Sequence, residues 1–151
     1  MAVVEIDNRS AVHGAEAQLV AQAEFLLDLL EMHPDVELAI SLVDPGEITD
    51  LHVRWMDLPG PTDVLSFPMD ELRVPEPGAV GEPGVLGDIV ICPQVAAEQG
   101  AQAGHGLGGE LELLLTHGIL HLLGHDHAEP EERAVMFGLQ ADLLAAWRGR
   151  G

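Results

Sequence analysis

Two histidines four residues apart, His117 and His121, followed by Gly124 and then His125, Asp126 and His127, are the residues of this chain best suited to chemistry. On an α-helix a four-residue step returns a side chain to the same face one turn later, so both imidazoles can meet one cation. Gly124 can end such a helix in a left-handed turn and fold the chain back towards the same point. The third ligand then comes from His125, Asp126 or His127, and the six-residue step from His121 across the turn favours His127. Three neutral imidazoles with a fourth position open form the donor set of a catalytic zinc ion rather than a closed structural one. One Zn2+ is therefore expected on His117, His121 and His127, with Asp126 orienting a ligand ring by accepting its other N–H. Without a shared cation, imidazoles buried in so leucine-rich a stretch would cost about 2 kcal/mol or more each. His13, His33, His52 and His105 are scattered and read as surface residues.

The elements that must position these residues are legible in order. Ala2 to Ile6 reads as a short strand closed by Asp7-Asn8. From Gly14 to Met32, Leu19, Val20, Ala23, Leu26, Leu27 and Leu30 recur at helical spacing, and Pro34 closes the segment. Val36 to Val43 alternates like a half-buried strand, and strand–helix–strand suggests a crossover with parallel pairing. Asp44-Pro45-Gly46-Glu47 spells a helix start, with Asp44 as cap, Pro45 in the first turn and Glu47 closing a capping box. That helix is expected from Pro45 to about Met56, stopped by Pro59-Gly60-Pro61. Val64 to Phe67 is a strand core, 69–85 a mobile loop rich in Pro and Gly, and Leu86 to Cys92 a second strand. The Gly87-Asp88 pair there marks a bulge or a close backbone approach, and the two strands pair most simply as an antiparallel hairpin. Pro93 to Ala103 is a helix stopped by Gly104, the histidine helix follows, and Glu129-Pro130-Glu131-Glu132 opens a last helix ending near Arg148 and Arg150. The expectation is an α+β fold: one domain over 1–151, a mixed, roughly four-stranded sheet and about five helices, with the metal site on a central helix.

Composition narrows the setting. The 151 residues suit one domain with a substantial core. Cys92 is the only cysteine, which excludes an internal disulfide and a thiolate metal site and points to a reducing compartment. Met1 to Asp7 lack the basic start and apolar run of a signal peptide, and no apolar run is long enough to span a membrane, so a cytoplasmic location is expected. Six arginines, no lysine and 26 acidic residues leave a formal charge of −20. A field of that sign repels polyanions and opposes casual nucleic-acid binding.

The pattern His-x3-His-x2-Gly-x2-His is the ligand spacing of metzincin proteases, in which a glutamate follows the first histidine as general base. Here that residue is Gly118, and no methionine turn follows. The motifs together resemble the YbeY family of bacterial endoribonucleases and rRNA maturation factors. They are Pro61-Thr62-Asp63-Val64-Leu65-Ser66-Phe67-Pro68, Leu86-Gly87-Asp88-Ile89, and the block from His117 to His127. The neighbourhood of Trp55 resembles an actinobacterial branch. The resemblance covers nearly the whole chain and implies zinc on His117, His121 and His127. It further implies a role in maturing the 3′ end of 16S rRNA and in ribosome quality control, with single-stranded precursor rRNA and the ribosome as partners. One departure stands out: where the family usually has an arginine, five residues before Pro61, this chain has Met56. Arg54 is a poor substitute, because a two-residue shift turns a helical side chain by roughly 200°.

With glycine at position 118, the proton of the attacking water must pass to another group. Asp63 and Asp88 are candidate catalytic residues through their motifs alone; an Asx-turn cap and a bulge-stabilising hydrogen bond explain them equally well. Ser66 reads as a strand residue facing a polar pocket, since no His–Asp pair accompanies it. A metzincin-like metalloprotease and a metal-stabilised, ribosome-associated binding factor without turnover are the competing functions.

Overall fold

The computed structural model describes residues 2–56 and 62–150. In chain order these form β1 (Val3–Asn8), α1 (Glu16–Leu29), β2 (Glu37–Leu42), α2 (Pro45–Met56), β3 (Val64–Pro68), β4 (Val85–Ile91), α3 (Pro93–Ala103), α4 (Leu107–Leu122) and α5 (Pro130–Arg148). The stop expected at Pro59-Gly60-Pro61 and the side chain of Met56 lie outside the described residues. The strands make one mixed sheet in the order β1-β2-β4-β3. The α1 crossover sets β1 parallel to β2, β2 runs parallel to β4, and β3 returns antiparallel on β4 as a hairpin. The α+β architecture expected from the sequence is thus the one observed.

Register decides what each residue faces. On β2, Leu38, Ile40 and Leu42 are buried in alternation, as a strand with one apolar face requires. Together with Leu86, Ile89 and Ile91 they meet Leu115, Ile119 and Leu122 of α4 and Leu26 and Leu27 of α1 in the main core. The opposite face carries a smaller cluster, Val43, Leu65, Val90 and Cys92, covered by Ile48 of α2. β4 is buried on both faces because the main core covers one and the smaller α2-side cluster the other.

At the start of β4, Glu37 pairs with Val85 but Leu38 pairs with Gly87, so Leu86 is the extra residue of a bulge. Gly87 has φ +147°, and a Cβ there would lie 2.3 Å from the Phe67 carbonyl oxygen. Both readings of the Gly-Asp pair, bulge and close approach, therefore hold. β1 runs through Asp7 and Asn8 rather than closing there, because its partner β2 continues to Leu42 opposite Asn8. α1 is shorter than its periodicity suggests. Gly14 adopts φ +107° and donates its N–H to the Glu16 carboxylate, and at the far end Glu31 turns to φ 60°. The capping residues of α2 also work across elements: Asp44 Oδ1 accepts the Ala11 N–H and Glu47 pairs with Arg9.

Helix α4 is held from two sides. The buried Gln22 of α1 donates to the Glu112 carbonyl at 2.9 Å and to the Thr116 hydroxyl at 3.0 Å. From α5, Trp147 Nε1 and Arg148 Nε donate to the two carboxylate oxygens of Glu112 at 2.7 and 3.2 Å. These contacts fix the turn of α4 immediately before His117.

Candidate metal centre

His117 and His121 leave the last two turns of α4 on its half-buried edge, while the intervening Gly118, Ile119 and Leu120 are buried. The helix ends at Leu122, and Gly124 takes φ +96°. That turn is closed by Gly124 N–H to the His121 carbonyl and His125 N–H to the Leu120 carbonyl, both at 3.0 Å. The chain then doubles back, and one nitrogen from each of His117, His121 and His127 lies within 4.8 Å of the others. The Nε2 atoms of His117 and His121 face each other at 3.1 Å. Two imidazole nitrogens on one tetrahedral ion at about 2.0–2.1 Å would be roughly 3.3 Å apart. The donor set and the spacing of this pair therefore fit a zinc-sized ion.

Protonation suits the same role. Burial pushes the His121 imidazole below its usual range, and the neighbouring His117 and His127 push in the same direction. A neutral ring is the form that ligates. On the far side of His117, Nδ1 lies 2.9 Å from Gln140 Oε1 of α5. The amide oxygen only accepts, so the proton sits on Nδ1 and Nε2 keeps its lone pair for the shared point. Phe137, one turn earlier on α5, stacks on His127 at 6.1 Å and lies 6.4 Å from His117, walling the imidazoles on that side.

Neither Gln140 nor Phe137 emerged from the sequence. The signal for Gln140 was a polar residue in the apolar stripe Met136, Leu143, Leu144 and Trp147 of α5. It takes the orienting role on His117, whereas Asp126 Oδ1 accepts the backbone N–H of His127 at 2.7 Å. His125 is half-buried and stands outside the trio.

Beside the trio lies a cavity of about 400 Å³ lined by Val64, Ser66, Pro68, His121, His125 and Asp126, among others. Ser66 points to α4, its hydroxyl 3.4 Å from the Gly118 carbonyl oxygen that accepts from it. Asp126 supplies the carboxylate of this lining. Asp63 does not line it; its side chain meets the Thr62 hydroxyl at 3.4 Å and its carbonyl accepts the Cys92 N–H. Asp88 is further removed. It pairs in register with Phe67 and Ala39 and lines a different hollow, of about 410 Å³, with Arg9, Glu47 and Trp55 on the α2 side of the sheet. The sheet itself separates Asp88 from the histidines.

Gly118 also acquires a structural reason. A Cβ on it would lie 3.1 Å from Ile89 and 3.2 Å from Ser66 Oγ. The position faces the sheet, where glycine lets α4 lie close to Ile89 and Ser66.

Comparison with known proteins agrees with this picture. The family model described as Endoribonuclease YbeY matches residues 5–148. A Thermobifida fusca protein named Endoribonuclease YbeY is 59% identical over 145 residues, covering 96% of this chain and 94% of its own. One of the same name from Clavibacter sepedonicus is 58% identical over 154 residues, covering 97% and 99%. A solution structure from Thermotoga maritima superposes with a TM-score of 0.65 at 26% identity, covering 99% of this chain and 90% of that one.

Proposed function

The chain belongs to the YbeY family, and from that membership we propose that it is a zinc-dependent endoribonuclease that cuts single-stranded RNA. Its place would be the maturation of the 16S rRNA 3′ end and ribosome quality control in the cytoplasm. No described helix is long and apolar enough to cross a membrane. The observation that carries the reading is the convergence of three imidazoles beside an open cavity.

His117, His121 and His127 would hold one Zn2+. When bound, such an ion polarises a phosphoryl oxygen and lowers the pKa of coordinated water. The chain's own residues do the rest. Gln140 keeps His117 in the ligating tautomer, and α4, packed into the core, holds two of the ligands at fixed spacing. Asp126 is the carboxylate best located to accept a proton at the cavity edge. Asp88 lies on the other side of the sheet and takes no part in this reading.

The metzincin-like reading lacks its general base, because position 118 is glycine. A ribosome-associated binding factor without turnover is separated by experiment. Metal analysis of the purified protein should give one zinc per chain. Wild type should cleave single-stranded RNA, and folded His121→Ala should not. Normal RNA cleavage by that variant, or a metal-free active protein, would overturn the proposal.

A further inference from the structure

A chain of charge −20 that acts on RNA must keep whatever cations it has for the substrate. Among the six arginines, Arg9 is held by Asp7 and Glu47, Arg148 by Glu112, and Arg150 lies over the Trp147 ring. Arg54 is exposed on α2, which covers the sheet face opposite the histidines. Arg133 is exposed on α5 and donates its Nε to the His127 carbonyl at 3.4 Å. Arg73 is set apart by a guanidinium that lies against a glycine of the cavity lining. It is exposed, makes no ion pair among the described residues, and donates only to the carbonyl of its neighbour Leu72 at 3.0 Å.

Its position is unusual too. The guanidinium lies against Gly124, so closely that a Cβ on that glycine would fall 2.6 Å from its Cζ and Nε. Gly124 lines the cavity that His121, His125 and Asp126 also line. Arg73 is not on a free strand of loop. Leu72 beside it is buried in the main core, and Asp70 Oδ2 accepts the Val85 N–H at 2.7 Å, tying the segment back to β4. A planar cation, unpaired and pre-positioned at the rim of the histidine cavity, has the properties of a phosphate contact.

We propose that Arg73 is a substrate-binding residue that holds a backbone phosphate of the RNA beside the scissile bond, an assignment that rests on the endoribonuclease reading above. The acidic neighbours of this rim, Asp126, Glu131 and Glu132, repel further phosphates and confine the attraction to one point. This accounts for how so acidic a chain can orient RNA at its histidines without a basic groove.

The test is binding of a short single-stranded RNA with a cleavage-resistant phosphorothioate backbone to the zinc-loaded protein, followed by fluorescence anisotropy across a salt series. Arg73→Ala should weaken binding about tenfold and make the slope of log affinity against log salt shallower by about 0.7. Arg73→Lys should restore the slope. Arg54→Ala, which changes the net charge equally, should leave the slope as in wild type. If wild type binds and cleaves RNA but Arg73→Ala keeps the wild-type slope, the assignment of Arg73 fails and the endoribonuclease reading stands. If Arg54→Ala flattens the slope as much as Arg73→Ala, the effect is global charge and the assignment again fails. If wild type with its metal neither binds nor cleaves RNA, both fall together.

Discussion

The two faces of the sheet are built for different work. The α1/α4 face holds the main core, and α4, whose far edge carries His117 and His121, is packed into it. The α2 face holds a small cluster around Val43, Ile48 and Leu65, with Trp55 64% exposed at its margin. Asp88 and Ile89 are adjacent in one motif, yet Ile89 packs against Gly118 of the histidine helix while Asp88 looks the other way. In a strand, neighbours in sequence are neighbours in space only every second residue. A motif that crosses a sheet therefore serves two sites at once, and its residues cannot be pooled into one mechanism.

The contrast is sharpest in activity. His121→Ala should lower the rate of single-stranded RNA cleavage by about a hundredfold or more, since it removes a ligand of the proposed ion. Asp88→Asn should stay within about threefold, because a residue outside the reacting site contributes no proton transfer. Equal losses in initial-rate measurements on the two folded variants would erase the distinction between the faces. Next in size is Gln140→Ala, which frees the His117 tautomer and should weaken zinc binding by roughly 10- to 100-fold in a competition titration with a chelator. An unchanged zinc affinity would mean that α5 only packs.

Two glycines extend the comparison to stability. Gly118→Ala crowds Ile89 and Ser66 Oγ by a few tenths of an ångström, which offsets the roughly 1 kcal/mol of helix propensity gained and should leave the variant no more stable than wild type in urea melts. Gly46 in α2 has nothing within 4 Å of its Cβ position, so Gly46→Ala should be neutral or stabilise by up to roughly 1 kcal/mol. The reverse order would show that the α2 face is the tighter one. The smallest effect concerns Glu16 at the start of α1. Hydrogen bonds from Asn8 and from the backbone N–H groups of Glu16 and Gly14 hold its carboxyl down to about 2, from an ordinary 4.5. Its contribution is therefore full above about pH 4.5 and is lost as pH falls towards 2. Glu16→Gln should be less stable than wild type at pH 6, and the gap should close by pH 2; a gap that widened on acidification would contradict this.

Much of this was legible in the sequence. Strand order along the chain, the parallel crossover, the hairpin and the bounds of α2 and α3 all follow from periodicity, prolines and glycines, which act locally. The convergence of His117, His121 and His127 was legible because helix pitch and one left-handed glycine determine it. What escaped depended on tertiary packing. Gln140 and Phe137 reach the histidines from a helix whose packing no local pattern specifies. The side of the sheet taken by Asp88 depends on register, and Gly118 reads as a missing acid until Ile89 is seen against it.

Cys92 closes β4 and caps α3 while fully buried in the small α2-side cluster, and its burial pushes the thiol pKa up. It is the only sulfhydryl in the chain, so it works as a stopwatch. A thiol-specific dye reacts with it only when that cluster opens, and the labelling rate gives the free energy of that opening directly. The smaller of the two clusters thus carries its own reporter, and the face that holds the histidines contributes no sulfhydryl to the signal.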